Sequence, residues 1–439
     1  MTSVEGAVSK ATAPPQLPRR LGTSGLVAHY VTSVMGAGVL LIPSLAWAEA
    51  GPLSLVAWAL LILYSYPFAL IFATLSVRHP TSKGVAQFVE AAFGARAGRV
   101  AAVFLLITLL AGNPVLGLAA GRYLLAAVDP TASNRAALLA GAAVIVFCVV
   151  LNLCGIKVST RAQLLVLGAV VLLLVLVICL ALPEADYTRL QPFAPHGWSA
   201  LGSTVLICFF GFIGWENAAP VAEEVRDPAR TFPKGILYAV TCVGVLYFAM
   251  AFTVSVALPE APAGQSDLTA FVRLLEVATG SGLQSVGYLV AGILLLLTTN
   301  AWCLGTSRVV FALARDGILP TSLSKLSRGL VPTRAVLALL PGYAVSVVLL
   351  LVTDSSESTL IKASSATYLL IFLMAFLSAA RLLPRGRTAR LNLAVITVTV
   401  GILPFFGVSV VIALAMLLVS VGAERWLRKR VPHPPRQEY

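Results

Sequence analysis

The sequence predicts an all-α integral membrane protein of about twelve transmembrane helices, and three observations carry that prediction. Of 439 residues, 59 % are apolar and 11 % charged, with a mean hydropathy of +0.92, where a typical soluble chain is roughly 25 % charged. The apolar residues come in runs of about 20 or more, the length that crosses a bilayer's hydrocarbon core. The basic residues, finally, are distributed unevenly between alternate connecting segments.

The apolar runs fall at 25–50, 52–77, 99–127, 136–153, 160–182, 200–222, 236–258, 284–312, 333–353, 359–380, 390–404 and 408–426. With both termini placed in the cytoplasm, 26 of the 31 basic residues lie in cytoplasmic segments, and Arg122, Arg135, Arg189, Arg273 and Lys362 lie outside. Basic residues resist translocation and favour the anionic inner leaflet. The net charge of +13 is therefore an orientation signal for a multi-pass protein of the cytoplasmic membrane, and no nucleic-acid partner is expected.

A single membrane domain over 21–427 is expected, between a cytoplasmic N-terminal tail (1–20) and a C-terminal tail (428–439). The first tail, with Pro14, Pro15 and Pro18, reads as disordered, and the run after it is too long for a signal-peptide core. Cys148, Cys154, Cys179, Cys208, Cys242 and Cys303 lie in or beside apolar runs without a CxxC, so they read as small core residues; no metal site or cofactor is expected. Between the second and third runs, Val85, Phe88, Val89, Ala92 and Phe93 recur at helical spacing after Thr81-Ser82 and before Gly94. A short amphipathic helix under the bundle follows from that pattern.

Two spans are interrupted. Ser33-Val34-Met35-Gly36-Ala37-Gly38, with Pro43 close behind, breaks the first, and Phe210-Gly211-Phe212-Ile213-Gly214 breaks the sixth, about 175 residues and five spans later. Broken helices at corresponding positions of two halves point to an inverted-repeat transporter with its site near the bilayer midplane. A half-helix N-terminus offers unpaired N–H groups and a positive dipole end for a carboxylate, and the preceding C-terminus offers carbonyls for an ammonium group. Close helix packing at the glycines is the competing explanation.

With these motifs the chain resembles the amino acid–polyamine–organocation superfamily of transporters. The resemblance rests on Gly36-Ala37-Gly38-Val39 with Pro43, on residues 210–216 (Phe210 to Glu216), on Glu223-Glu224-Val225-Arg226-Asp227-Pro228-Ala229-Arg230 with Pro233, and on Arg308 with 314–320 (Ala314 to Pro320). The stretch 82–89 and the sixth-span run look most like the bacterial methionine and branched-chain amino acid exporter branch. The resemblance implies a five-plus-five inverted repeat (about 21–182 and 199–381), two extra helices (about 389–427), discontinuous helices 1 and 6, and alternating access. It also implies that a substrate carboxylate meets the N–H groups of Ala37 and Gly38 beside Gly36. The substrate ammonium then meets carbonyls of Val34, Phe210 and Ile213, with Trp215 at the same site.

Glu216 is the acidic residue placed well inside a span. A carboxylate near the bilayer centre costs about 2.5–3.5 kcal/mol on insertion scales, so it pairs, lines water or carries protons. Proton coupling and the tying of backbone amides beside the unwound segment are both open, and the resemblance adds that the matching glutamate is proton-linked in some antiporters. Thr298-Thr299-Asn300 in the eighth span fits either cation ligation or structural hydrogen bonding. Gly112-Asn113-Pro114 in the third fits a kink or a polar contact.

Around the breaks, Met35, Phe210, Phe212, Ile213, Trp215, Val115 and Cys303 are mostly apolar. A neutral, apolar L-amino acid of the methionine, leucine, isoleucine and valine class is the expected substrate, moved by a proton-linked exporter or antiporter. A proton-driven importer is the alternative direction. A lipid-modifying membrane enzyme is a third reading, but His29, His79, His196 and His433 are scattered and no HExxH, GxSxG or paired-carboxylate motif accompanies them. No catalytic residue is expected, and oligomeric state is left open.

Overall fold

A computed structural model describes residues 22–35, 38–79, 84–154, 160–216, 225–258, 270–327, 331–353 and 357–430. Gly36, Ala37, Thr81, Ser82, Glu223, Glu224 and most of both tails lie outside these. Every regular element among the described residues is helical. In chain order these are α1 (Thr23–Val34), α2 (Ile42–Ala50), α3 (Ser54–Arg78), α4 (Val85–Phe93), α5 (Ala95–Gly112), α6 (Pro114–Ala126), α7 (Asn134–Leu153), α8 (Thr160–Ala181) and α9 (Ala200–Phe210). There follow α10 (Pro228–Ala257), α11 (Ala270–Thr279), α12 (Gln284–Arg315), α13 (Thr333–Leu337), α14 (Leu339–Thr353), α15 (Glu357–Leu382), α16 (Arg387–Ile402) and α17 (Val408–Arg430).

Eight helical segments among the described residues are long and apolar enough to cross a membrane: Ile42–Arg78, Ala95–Ala126, Asn134–Leu153, Pro228–Ala257, Gln284–Arg315, Thr333–Thr353, Ser358–Leu382 and Val408–Leu427. Gly168–Glu184 and Ala200–Phe210 are shorter apolar helices. Against about twelve expected spans, four fall short, and two of these, the first and the sixth, are the ones the sequence marks as broken. α1 stops after 12 residues and α9 after 11, while α16 has 16. Large aliphatic side chains such as Leu63, Leu165, Val352 and Leu418 stand exposed on the helix surfaces, where a bilayer rather than water would cover them.

Glycines set the closest crossings. A Cβ on Gly121 of α6 would overlap the backbone of Gly141 on α7, and one on Gly117 would overlap Ile145 and stand 3.3 Å from Cγ2 of Thr299 on α12. Small residues let backbones approach where lipid supplies no hydrophobic drive between helices. In the third span α5 passes into α6 at Asn113, with Pro114 in the first position of α6, where its missing N–H costs nothing.

α4 lies against α5 and α15, burying Val85, Ala86, Phe88 and Val89. It begins after Gly84, whose φ is +57°, and ends at Gly94 with φ +88°. Phe93, expected on the buried face, is 41 % exposed and is covered instead by the Arg381 guanidinium, 4.3 Å from its ring centre. Arg381 also donates to the Ala92 carbonyl at 3.2 Å. Cys148, Cys208 and Cys303 are buried as expected, but Cys154, Cys179 and Cys242 are exposed.

Gly121→Ala should therefore destabilise the α6–α7 crossing by about 1–3 kcal/mol, the usual cost of overpacking. Gly168, where an added Cβ would meet nothing within 4 Å, supplies the control. A melting temperature for purified Gly121→Ala equal to that of Gly168→Ala would contradict the assignment.

Candidate functional site

The two broken helices cross. α1 ends at Val34, the chain turns at 38–41, and α2 resumes at Ile42 with Pro43 in its first turn. Proline there is pre-set for helix and lacks only an N–H that would be unpaired anyway. α9 ends at Phe210, followed by turns at 211–214. The crossing point is glycine on both sides. A Cβ on Gly38 would stand 2.8 Å from Cα of Gly211, and one on Gly211 would stand 3.1 Å from Cα of Gly38.

Tyr247 of α10 locks this crossing. Its hydroxyl lies 2.9 Å from the Val34 carbonyl and 2.9 Å from the Gly211 carbonyl, so one proton serves a freed carbonyl from each break. Buried backbone oxygens at membrane depth need such partners. The Tyr247 ring packs edge-on to Trp58 at 5.3 Å and to Phe212 at 5.3 Å. Tyr123 of α6 donates to the Leu40 carbonyl at 3.5 Å.

A small cavity of about 30 Å³ lies beside the crossing. Val34, Gly38, Phe210 and Ile213 line it from the breaks, and Gly112, Asn113, Leu116, Thr298, Trp302 and Tyr368 line it from α5, α6, α12 and α15. Four of the residues expected at a substrate site are thus brought together, and Gly36 and Ala37 lie outside the described residues. Trp215 is placed elsewhere: it is buried with its indole 5.5 Å from the Tyr30 ring. Met35, Phe212, Val115 and Cys303 are likewise not among the lining residues. The wall opposite the breaks is more polar than the sequence suggests.

Glu216 follows the unwound turn and accepts the Gly214 N–H at 2.7 Å. Gly214 has φ +134°, a backbone conformation that only glycine adopts without strain. The carboxylate thus stands in for the helical carbonyl that this amide has lost. Tyr30 and Tyr368 lie within its electrostatic reach.

The polar run of α12 divides. Thr298 lines the cavity, with its hydroxyl donating to the Leu294 carbonyl at 3.0 Å. Thr299 is buried and donates to Leu295 at 2.7 Å. Asn300 accepts from Asn152 of α7 at 2.9 Å, which places it in helix packing and away from the cavity. Among the described residues no group of three His, Cys, Asp or Glu side chains could hold a metal ion.

Several of these residues carry no motif. Tyr247 and Tyr368 each sit mid-span, away from the interfacial belts where tyrosine is common, and that position is the signal that could have found them.

A membrane bundle with two broken helices meeting at a small cavity belongs to the class of solute transporters rather than enzymes. The family model for amino acid permeases matches residues 21–426, and the chain belongs to that family. It is 29 % identical over 373 residues to the uncharacterized amino acid permease YecA of Bacillus subtilis, covering 84 % of this chain and 87 % of the relative. It is 27 % identical to the L-methionine/branched-chain amino acid exporter YjeH of Escherichia coli (84 % and 88 % covered). The branched-chain amino acid permease BcaP of Bacillus subtilis is 27 % identical (74 % and 73 % covered). The chain is accordingly a multi-pass membrane permease.

Removing the Tyr247 hydroxyl should leave a carbonyl of each break short of its partner, at about 1–3 kcal/mol. Tyr247→Phe is expected to lower amino acid flux in proteoliposomes roughly tenfold at unchanged protein content, the equivalent of ~1.4 kcal/mol. Gly38→Ala should lose flux more completely. Wild-type flux in both variants would exclude this crossing as part of the site.

Proposed function

We infer that the chain moves neutral, largely apolar L-amino acids of the methionine and branched-chain class by alternating access, as a proton-linked exporter or antiporter. The cavity at the crossing of the two broken helices carries this reading. Val34, Phe210 and Ile213 carbonyls suit the substrate ammonium, and the N–H groups around Gly38, with Ala37, suit its carboxylate. No Asp, Glu, Lys or Arg lines the cavity among the described residues, which favours an uncharged side chain. The names of YjeH and BcaP agree with this substrate class.

The Glu216–Gly214 hydrogen bond supports the coupling. An ionised carboxylate is the stronger acceptor for that amide, so a ligand that stabilises this geometry of the break competes with a proton for Glu216. By linkage the proton then weakens the same ligand, and mutual competition of substrate and proton is what exchange requires. In this reading residues 21–427 form one transporter domain of the cytoplasmic membrane with both tails, 1–20 and 428–439, in the cytoplasm. Proton-driven import would use the same groups in the opposite direction.

The test is flux of labelled methionine, leucine and lysine in proteoliposomes, with and without a pH gradient. Methionine and leucine should be moved, lysine should not, and the gradient should accelerate flux in wild type but not in Glu216→Gln. A gradient response that survives in Glu216→Gln would remove the coupling role and leave the carboxylate as a backbone tie. Absence of all amino acid flux would overturn the transport reading itself.

A further inference from the structure

The wall facing the breaks carries three polar side chains, and their hydrogen bonds differ in one respect. Asn113 donates through Nδ2 to the Thr306 hydroxyl at 2.6 Å. Thr306 spends its own proton on the Trp302 carbonyl at 2.8 Å, so it can only accept from Asn113, which leaves the Asn113 Oδ1 as an acceptor. Thr298 likewise has its proton committed, to Leu294. Tyr368 does not. It lines the cavity, is 3 % exposed, and its hydroxyl has no hydrogen-bond partner among the described residues.

A buried hydroxyl without a partner is costly and calls for an explanation. The surrounding packing holds the ring in place. Gly112 lets α15 approach so closely that a Cβ there would stand 2.8 Å from Oγ of Ser364 and 3.9 Å from Cε2 of Tyr368. Trp302 and Leu116 give the rest of this wall an apolar surface.

We propose that Tyr368 is a specificity residue whose hydroxyl donates to an acceptor atom in the substrate side chain. The cavity then prefers a neutral side chain carrying a sulfur or oxygen over an aliphatic side chain of the same shape. This rests on the reading that the cavity holds amino acids, and it narrows that reading. A site built to hydrogen-bond a substrate atom discriminates against the analogue that lacks it, because the site's own polar group is left unpaired.

Norleucine, methionine and O-methylhomoserine share one shape and differ at one position, which is a methylene, a thioether sulfur or an ether oxygen. Each is used to compete with labelled leucine flux in proteoliposomes of the full-length protein. In wild type, O-methylhomoserine should compete about threefold or more better than norleucine, in line with one neutral hydrogen bond, and methionine, whose sulfur is a weaker acceptor, should fall between them. In Tyr368→Phe the three should compete equally. Equal competition in wild type, or the same preference persisting in Tyr368→Phe, overturns the proposal while leucine flux keeps the transport reading intact. No saturable flux of any amino acid overturns both. Should Tyr368→Phe fail to reach the membrane, the wild-type order alone decides.

Discussion

The contact on which the rest depends is the approach of Gly38 to Gly211 beneath the Tyr247 hydroxyl. Two helices that stop inside a membrane expose carbonyls and amides that lipid cannot satisfy. Here each break gives one carbonyl to the same tyrosine proton, and neither glycine has room for a side chain. The breaks are therefore one structure, held by α10 from behind, and the cavity is what their crossing leaves open on the other side. The aromatic packing of Trp58 and Phe212 on Tyr247 keeps water away from these bonds, which strengthens them.

Satisfaction of the freed backbone is local wherever a nearby side chain permits it. Glu216 reaches back two residues to the amide of Gly214, and Ser44 reaches back to the Leu41 carbonyl at 3.0 Å. The polar atoms left over are then informative. Tyr30, Trp215 and Tyr368 each bury a donor with no partner among the described residues, and all three surround the unwound segment after α9 or the cavity beside it. Trp58, Thr108, Arg189, Ser364 and Ser365 also bury donors without a partner among the described residues, so it is the position of Tyr368 at the cavity, and not the lack of a partner alone, that singles it out.

Much of this is legible in residue order. The breaks show because glycine and proline interrupt apolar runs at corresponding positions, and the amphipathic α4 shows because its period is helical. Side-chain destinations are less legible. Trp215 adjoins the second break in sequence yet turns to Tyr30, because a 3.6-residue helical phase cannot be carried through an unwound turn. Asn300 lies two residues after Thr298 and so on a different face of α12, which takes it to Asn152 instead of the cavity. Glu424 lies near the end of the last apolar run, and its side chain is 3 % exposed because Arg99 of α5, 325 residues away, meets it at 2.9 Å. Pairing over that separation leaves no local trace.

The ion pairs Glu49–Lys362 and Arg99–Glu424 differ in exposure and therefore in strength. Glu49 of α2 meets Lys362 of α15 at 2.9 Å, with both side chains about one quarter exposed (28 % and 26 %). Pairs so open to solvent contribute about 0–1 kcal/mol, so this one does little to hold α2 to α15. Glu424 is buried, and stranding such a charge by removing its partner costs about 3–5 kcal/mol, so α17 stays with α5. α15 carries the weak pair near its first residues, Tyr368 at the cavity, and Arg381 on α4 at its far end. One helix thus touches the second half of the first broken span, the cavity and the amphipathic helix. The tie between α2 and α15 is thus the weak one of the two, and the buried pair between α5 and α17 the strong one.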